Sequence, residues 1–203
     1  MKLIWSGTSP FARKCMIVAH ELGIAETLEI ENGSGTPVEP NALTAAYNPL
    51  GKLPCLVPDD GPAIFDSSVI CQHLIAHREG QRLLPTEIDP RSRVLTLEAL
   101  GDGICDAGVL VRYERAVRPE NLRWENWIDS QFLKIDRALD ALSQRWMPHL
   151  SGPLDLGQIA IGCGLGYLDF RYSERGWREA HPVLARWHDG FKERPSVKAT
   201  NPE

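Results

Sequence analysis

At 203 residues the chain has room for one large domain or two small ones, and its 43% hydrophobic content suffices for ordinary globular cores. A formal net charge of −5, with no basic tail, argues against nucleic acid or an anionic membrane as the main partner. No apolar run approaches the roughly 18 residues of a membrane span. Arg13, Lys14 and His20 interrupt the stretch where a signal peptide would carry its apolar core. The five cysteines, Cys15, Cys55, Cys71, Cys105 and Cys163, are widely spaced and lie in apolar stretches. Without CxxC or Cys/His metal spacing they read as reduced, buried thiols of a cytosolic protein, and no metal site is expected.

The chain opens with a strand, Lys2-Leu3-Ile4-Trp5. Gly7 permits a turn, Ser9 is placed as a helix N-cap, and Pro10 suits the first helical position. Phe11, Cys15, Val18 and Leu22 then form one helical face, which Gly23 ends. Thr27 to Glu31 alternates as a second strand, completing a βαβ unit with parallel strands. Residues 32–41 read as loop, and Asn41 to Tyr47 as a short helix. Pro54 opens a third strand, Cys55-Leu56-Val57, after a turn at Gly51. A cis Leu53–Pro54 bond would turn the Leu53 backbone outward, ready to pair with an extended peptide. Asp59-Asp60-Gly61 marks a turn into a fourth strand, Ala63 to Phe65. Asp66 or Ser67 then caps a helix ending near Arg78. As a cap the pair is structural; as a site, Asp66 would take an ammonium and Ser67 with the helix end a carboxylate.

Strand signals vanish from Arg91 onward. Val94, Leu97, Gly101, Ile104, Gly108 and Val111 keep one helical face, and the glycines imply close helix packing, a bend or a cleft wall. Asp102, Asp106, Arg112 and Tyr113 fall in the same region. Trp124, Ile128, Phe132, Ile135, Leu139 and Leu142 are spaced for burial in a second helix. Asp155 and Gln158 predict a capping box, Asp155 capping and Gln158 reaching back. Gly162, Gly164 and Gly166 follow in that helix, and His181-Pro182 opens a last one.

Three segments, Ser9-Pro10-Phe11-Ala12-Arg13-Lys14, Asn48-Pro49-Leu50-Gly51-Lys52-Leu53-Pro54 and Phe65-Asp66-Ser67, occur in an order and spacing that resemble the amino-terminal domain of a cytosolic, serine-type glutathione transferase. The second half resembles the all-helical domain of that family. The resemblance implies an α/β thioredoxin-like domain over residues 1–79, with a βαβ-α-ββα order and a mixed four-stranded sheet. A linker over 80–90 and an all-α domain over 91–203 follow.

It further implies that Ser9 activates the thiol of glutathione, with Thr8 as the rival hydroxyl and Phe11 beside it. Leu53, before Pro54, would pair with the cysteine of glutathione. Asp66 and Ser67 would hold its γ-glutamyl end, and Lys52 lies near the region that meets its glycine carboxylate. Asp106, Arg112 and Tyr113 would border the acceptor pocket. No cofactor is held permanently; glutathione is the co-substrate, a small electrophile the acceptor, and the family arrangement a cytoplasmic homodimer. Two other readings share the fold: a non-catalytic binding protein, and a thiol–disulfide enzyme, which needs a cysteine at position 9 where this chain has Ser9.

Overall fold

The computed structural model describes residues 1–78 and 83–202. It divides into two compact units, residues 1–87 with 195–203, and residues 88–194. Residues 79–82, the last residue of the expected first domain and the start of the expected linker, lie outside the described residues. The linker expected to run to residue 90 is already helical from Ile88.

The first unit runs β1 (Lys2–Trp5), α1 (Pro10–Glu21), β2 (Glu29–Asn32), α2 (Ala42–Tyr47), β3 (Cys55–Val57) and α3 (Ser67–Ala76). Its sheet has the order β2-β1-β3. β1 pairs parallel with β2, Lys2 opposite Glu29, and antiparallel with β3, Leu3 opposite Leu56. β2 starts two residues later than the alternation predicts, because Ala25–Thr27 forms a 3₁₀ turn. Leu3, Ile4, Ile17, Leu56, Ile70 and Leu74 are fully buried and form the core between sheet and helices.

The expected fourth strand is reduced to a single bridge, and among the described residues the sheet has three strands. Leu56 and Ile64 exchange both backbone hydrogen bonds, at 2.9 and 2.8 Å. In an antiparallel ladder the next such pairs lie two residues away on each side. Here those are Pro58 with Pro62 and Pro54 with Asp66, and three of the four residues have no N–H to donate. The proline spacing therefore stops the ladder after one pair.

Residues 195–203, read from the sequence as part of the helical domain, group with the first unit. They contain a short helix, α10 (Pro195–Lys198), bound along α1. Buried Arg13 donates to Val197 O (3.3 Å), Asn201 Oδ1 (3.0 Å) and Thr200 Oγ1 (3.5 Å). Two turns further along α1, Glu21 accepts from Ser196 Oγ at 2.5 Å.

The second unit is helical: α4 (Ile88–Ala116), α5 (Glu125–Ala141), a π-helical turn (Leu142–Trp146), α6 (Met147–Leu150), α7 (Leu156–Tyr172), α8 (Trp177–Ala180) and α9 (Pro182–Lys192). None of the described helices is long and apolar enough to cross a membrane. α4 and α7 run side by side in the same direction: Gly157 faces Val94 and Leu97, Gly101 faces Ala160, and Gly108 faces Tyr167 and Tyr172. Ile128, Phe132, Ile135, Leu139 and Leu142 are buried as their spacing requires, but Trp124 is 62% exposed. Trp124 precedes the first turn of α5, so its side chain falls outside the periodic face, and its N–H goes to Glu114 Oε1 (3.0 Å).

The capping box is half formed. Asp155 Oδ1 accepts from Gln158 N (2.9 Å), but the Gln158 amide does not reach back to Asp155. It donates to the carbonyls of Pro153 (2.7 Å), His149 (3.2 Å) and Gly152 (3.4 Å). Those carbonyls lie at the end of α6 and just beyond it, where intrahelical donors run out, and His149 O also accepts from Gly152 N at 2.9 Å. Asp155 Oδ2 meets His149 Nε2 at 2.6 Å, which ties the same turn to the cap.

A second polar knot joins α7, α8 and α9. Arg178 donates to both Asp169 oxygens (2.9 and 2.6 Å) and lies 2.9 Å from His188 Nδ1. Burial, helped by the Arg178 charge and opposed by Asp169, pulls the His188 imidazole down to about 4. An unfolded histidine titrates near ~6.5, so the depressed value adds stability above that pH, lost as pH falls toward 4. Urea unfolding between about pH 7 and pH 4 is expected to show a loss of order 3 kcal/mol that His188→Gln largely removes.

Candidate functional site

Ser9 is the N-cap of α1, with extended backbone (φ −82°, ψ 118°). Its Oγ accepts from Ala12 N at 3.3 Å, and its own hydrogen remains available to a ligand. The first turn of α1 carries no acidic side chain, so nothing offsets the positive helix end. Ser9 is half-buried, whereas Thr8 is exposed and its Oγ1 lies 3.3 Å from Ser6 Oγ. Only Ser9 combines partial shelter with a place on the helix terminus. Phe11 is half-buried in the same turn.

The second element is the loop before β3. The Asn48 side chain clamps it, donating to Lys52 O (2.8 Å) and accepting from Leu50 N (3.0 Å). Gly51 turns the chain with φ +62°, where a Cβ would be strained. The Leu53–Pro54 bond is cis, as the sequence predicts. Pairing of β3 with β1 begins at Cys55, and among the described residues the Leu53 N–H and C=O take no backbone partner. Pro54 is buried; the Lys52 side chain is exposed and makes no ion pair among the described residues.

The third element is the start of α3. Asp66 is its N-cap, one oxygen accepting from Ser68 N at 3.1 Å, and the residue is exposed. Ser67, at the first helical position, is buried. The Phe65–Asp66 bond is also cis. Cys15 links the two capped helices: its Sγ lies 3.7 Å from Ser67 O and 3.8 Å from Cys71 Sγ. The start of α3 is thereby seated against the second turn of α1. Ser9, Phe11, Lys52, Leu53, Pro54, Asp66 and Ser67 thus all belong to the first unit.

The protein's own sulfurs are withdrawn from this chemistry. None of the five cysteines is in a disulfide and all are buried, and burial pushes the Cys55 thiol up, away from the reactive thiolate.

Asp106, Arg112 and Tyr113 lie on α4 in the second unit. Asp106 and Tyr113 are seven residues apart and share a face; Arg112 sits one position round the helix. Asp106 and Arg112 are exposed and Tyr113 is half-buried. A cavity of about 60 Å³ in this unit, lined by Phe132, Leu139, Tyr172 and Arg175 among others, contains none of the three.

Comparison with known proteins identifies the family. The model of the glutathione S-transferase N-terminal domain matches residues 8–77, and that of the C-terminal domain residues 125–190. The GST-like protein YibF of Escherichia coli (strain K12) is 37% identical over 204 residues, covering 100% of this chain and 98% of that one. The chain belongs to the glutathione S-transferase family.

Among solved structures, this transferase-family chain is similar to a glutathione transferase family member from Pseudomonas fluorescens Pf-5 with bound glutathione. That match has a TM-score of 0.97 and 42% identity, covering 100% of this chain and 98% of that one. A structure of the Pseudomonas protein with bound S-(propanoic acid)-glutathione aligns at a TM-score of 0.93 and 41% identity, with both chains fully covered. A glutathione S-transferase from Methylobacillus flagellatus with bound glutathione aligns at 0.88 and 34% identity, covering 100% and 99%.

Two features of the transferase-family chain escape sequence reasoning. Arg13 reads only as part of a motif, although it holds the C-terminal segment. Arg171, near the end of α7, is not singled out by the sequence, yet its Nε is buried with no hydrogen-bond partner among the described residues. No local signal marks it, because its burial comes from packing between helices.

Proposed function

We propose that the chain is a glutathione transferase that activates the thiol of glutathione for attack on a small electrophile. The observation that carries this reading is the Ser9 hydroxyl, held by Ala12 N so that its hydrogen is left to donate at a positive helix end. A free thiol has a pKa near ~8.5, so little thiolate exists at neutral pH. A neutral hydroxyl donating to sulfur, together with the α1 terminus, favours the thiolate over the thiol. The thiolate then forms a carbon–sulfur bond with the electrophile, whose leaving group or conjugated π bond takes up the displaced electron pair. Glutathione supplies the reactive sulfur, and Ser9 stays neutral throughout.

In this reading the Leu53 backbone pairs with the cysteine of glutathione, in the manner of an added strand. The free Asp66 oxygen takes the γ-glutamyl ammonium. Ser67 and the α3 terminus take its carboxylate. Lys52 stands toward the glycine carboxylate and Phe11 packs beside the sulfur. Bound glutathione in the Pseudomonas and Methylobacillus relatives supports the ligand, and the thioether bound by the Pseudomonas protein supports transfer to carbon. We place the protein in the cytoplasm as a homodimer.

The test is retention on immobilised glutathione followed by turnover of 1-chloro-2,4-dinitrobenzene. Retention with turnover is expected. Retention without turnover of any electrophile would favour the non-catalytic binding protein, and no retention would remove the site. Asp66→Asn separates its two roles, since asparagine caps as well as aspartate but has no charge. It is expected to raise the KM for glutathione about tenfold, the effect of one charge-assisted hydrogen bond, and to leave the unfolding midpoint nearly unmoved.

A further inference from the structure

The chain has six histidines, and three of them are committed to protein partners. His149 meets Asp155, His181 Nδ1 meets Ser143, and buried His188 sits in the Arg178–Asp169 knot. His73 and His77 are different. They stand four residues apart at the end of α3, which runs to Ala76 with His77 as its C-cap. Residues at i and i+4 of a helix share one face. Here the two rings meet, with centroids 4.4 Å apart and planes inclined by 69°. Among the described residues neither ring has a hydrogen-bond or ion-pair partner. His73 is half-buried and His77 exposed, so the pair is open to solvent.

This geometry is close to that of a chelate. Two imidazoles that each bind one metal ion at about 2.0–2.1 Å bring their ring centroids to about 4.5–5 Å, which a small rotation of the exposed His77 supplies. Neutral imidazole is the form that binds metal. Burial, together with the neighbouring His77, lowers the His73 pKa and keeps that ring unprotonated at neutral pH. The last turn of a helix carries partial negative charge, which favours a cation there. Arg78, the next residue, is exposed, and solvent screens its charge.

We propose that His73 and His77 form a two-imidazole chelate for a divalent late first-row metal ion, with water in the remaining coordination positions. The site lies wholly within the first unit and is independent of the transferase reading. Imidazole suits Cu²⁺, Ni²⁺ and Zn²⁺, and Cu²⁺ binds most tightly by the general ranking of these ions. Among the described residues no group of three or more His, Cys, Asp or Glu could hold a metal ion. The pair is therefore an exchangeable surface chelate, distinct from the closed centre that the Cys/His spacing excludes. An ion bridging residues 73 and 77 also ties the last turn of α3, and so stabilises the helix whose other end carries Asp66 and Ser67.

The test titrates the full-length protein with Cu²⁺ alone, in a buffer without metal ligands and without glutathione. Outer-shell partners of a metal are worth about 10–100-fold in affinity, so losing one of only two protein ligands is expected to weaken the tightest binding by at least about tenfold. His73→Gln and His77→Gln should each show that loss. Electron paramagnetic resonance of the wild type with one equivalent of Cu²⁺ should show coupling to two imidazole nitrogens, and either variant to fewer.

Glutamine is a good helix former and His77 is exposed, so His77→Gln should fold; circular dichroism in the presence of a chelator checks both variants. If His73→Gln does not fold, His77→Gln and the wild-type resonance spectrum decide the matter. Equal Cu²⁺ affinity in the wild type and His77→Gln overturns the site. A wild-type spectrum with a single coupled imidazole nitrogen overturns it as well.

Discussion

Ser9→Ala is expected to lower kcat/KM for glutathione conjugation by about 10²–10³, the usual effect of removing one preorganised donor from a developing charge. The protein should remain folded. The substitution removes the Oγ acceptor for Ala12 N, a cap contribution of about 1 kcal/mol. The thiol of bound glutathione should also titrate at higher pH, visible in the ultraviolet absorbance of the thiolate across a pH series. Thr8→Ala should change kcat/KM less than threefold, because Thr8 is exposed and its hydroxyl is turned to Ser6. Ser9→Cys provides a further comparison, since a thiolate at that position would exchange with oxidised glutathione, releasing one reduced glutathione and leaving a mixed disulfide detectable by mass. Full turnover by Ser9→Ala with an unmoved thiol titration would remove Ser9 from the mechanism and leave it a helix cap.

The largest expected loss of stability comes from Gly101→Ala. A Cβ at Gly101 would lie 2.5 Å from Ala160 C and 2.7 Å from both Ala160 O and Ile161 N. These are backbone atoms of α7 and cannot rotate aside, so the helices must separate. Overpacking of this kind costs about 1–3 kcal/mol or more, against a gain of about 1 kcal/mol for alanine over glycine in a helix. The loss should be near the top of that range, because the α4–α7 contact is glycine-lined along its length and separation disturbs several contacts together. Gly164 sits 3.2 Å from Gly101 O in the same seam. Gly103→Ala is the control. It is exposed in the same helix, meets nothing within 4 Å, and should stabilise by about 0.5–1 kcal/mol. Thermal unfolding of the two variants should therefore move in opposite directions from the wild type, although the two glycines are two residues apart.

The contrast between Gly101 and Gly103 also marks where local reading stops. Both glycines weaken a predicted helix equally, and the sequence suggests close packing for the group as a whole. Which one touches a neighbour depends on the facing residue of α7, Ala160, 59 positions away in the chain. The polar groups behave the same way. Asp155 was legible as a cap because the N–H it accepts from lies three residues on. Gln158 turns from that cap to the carbonyls at the end of α6, since the fold brings them within reach. Trp124 was misplaced because periodicity alone does not locate the first residue of a helix.

The elements of the candidate site were readable because each rests on a local rule. Ser9 before Pro10 is a cap followed by the residue that best starts a helix. Asp66 before Ser67 is another cap, and Pro54 opens a strand because it has no N–H. These rules act over three or four residues, so the sequence by itself determined the two capped helices, the turn at Gly51 and the family to which they point. The short third-to-fourth strand pairing was legible in principle too, since the prolines at 54, 58 and 62 all fall on hydrogen-bonding positions once the register is known. Tertiary structure decided the rest: that register, the seating of α3 on α1 through Cys15, and the return of residues 195–202 to α1 through Arg13. It also decided that the Arg171 Nε is buried with no hydrogen-bond partner among the described residues. Each of these depends on which distant side chain or carbonyl fills a given space, and burial and pairing between remote segments are set by packing rather than by any local preference of the chain.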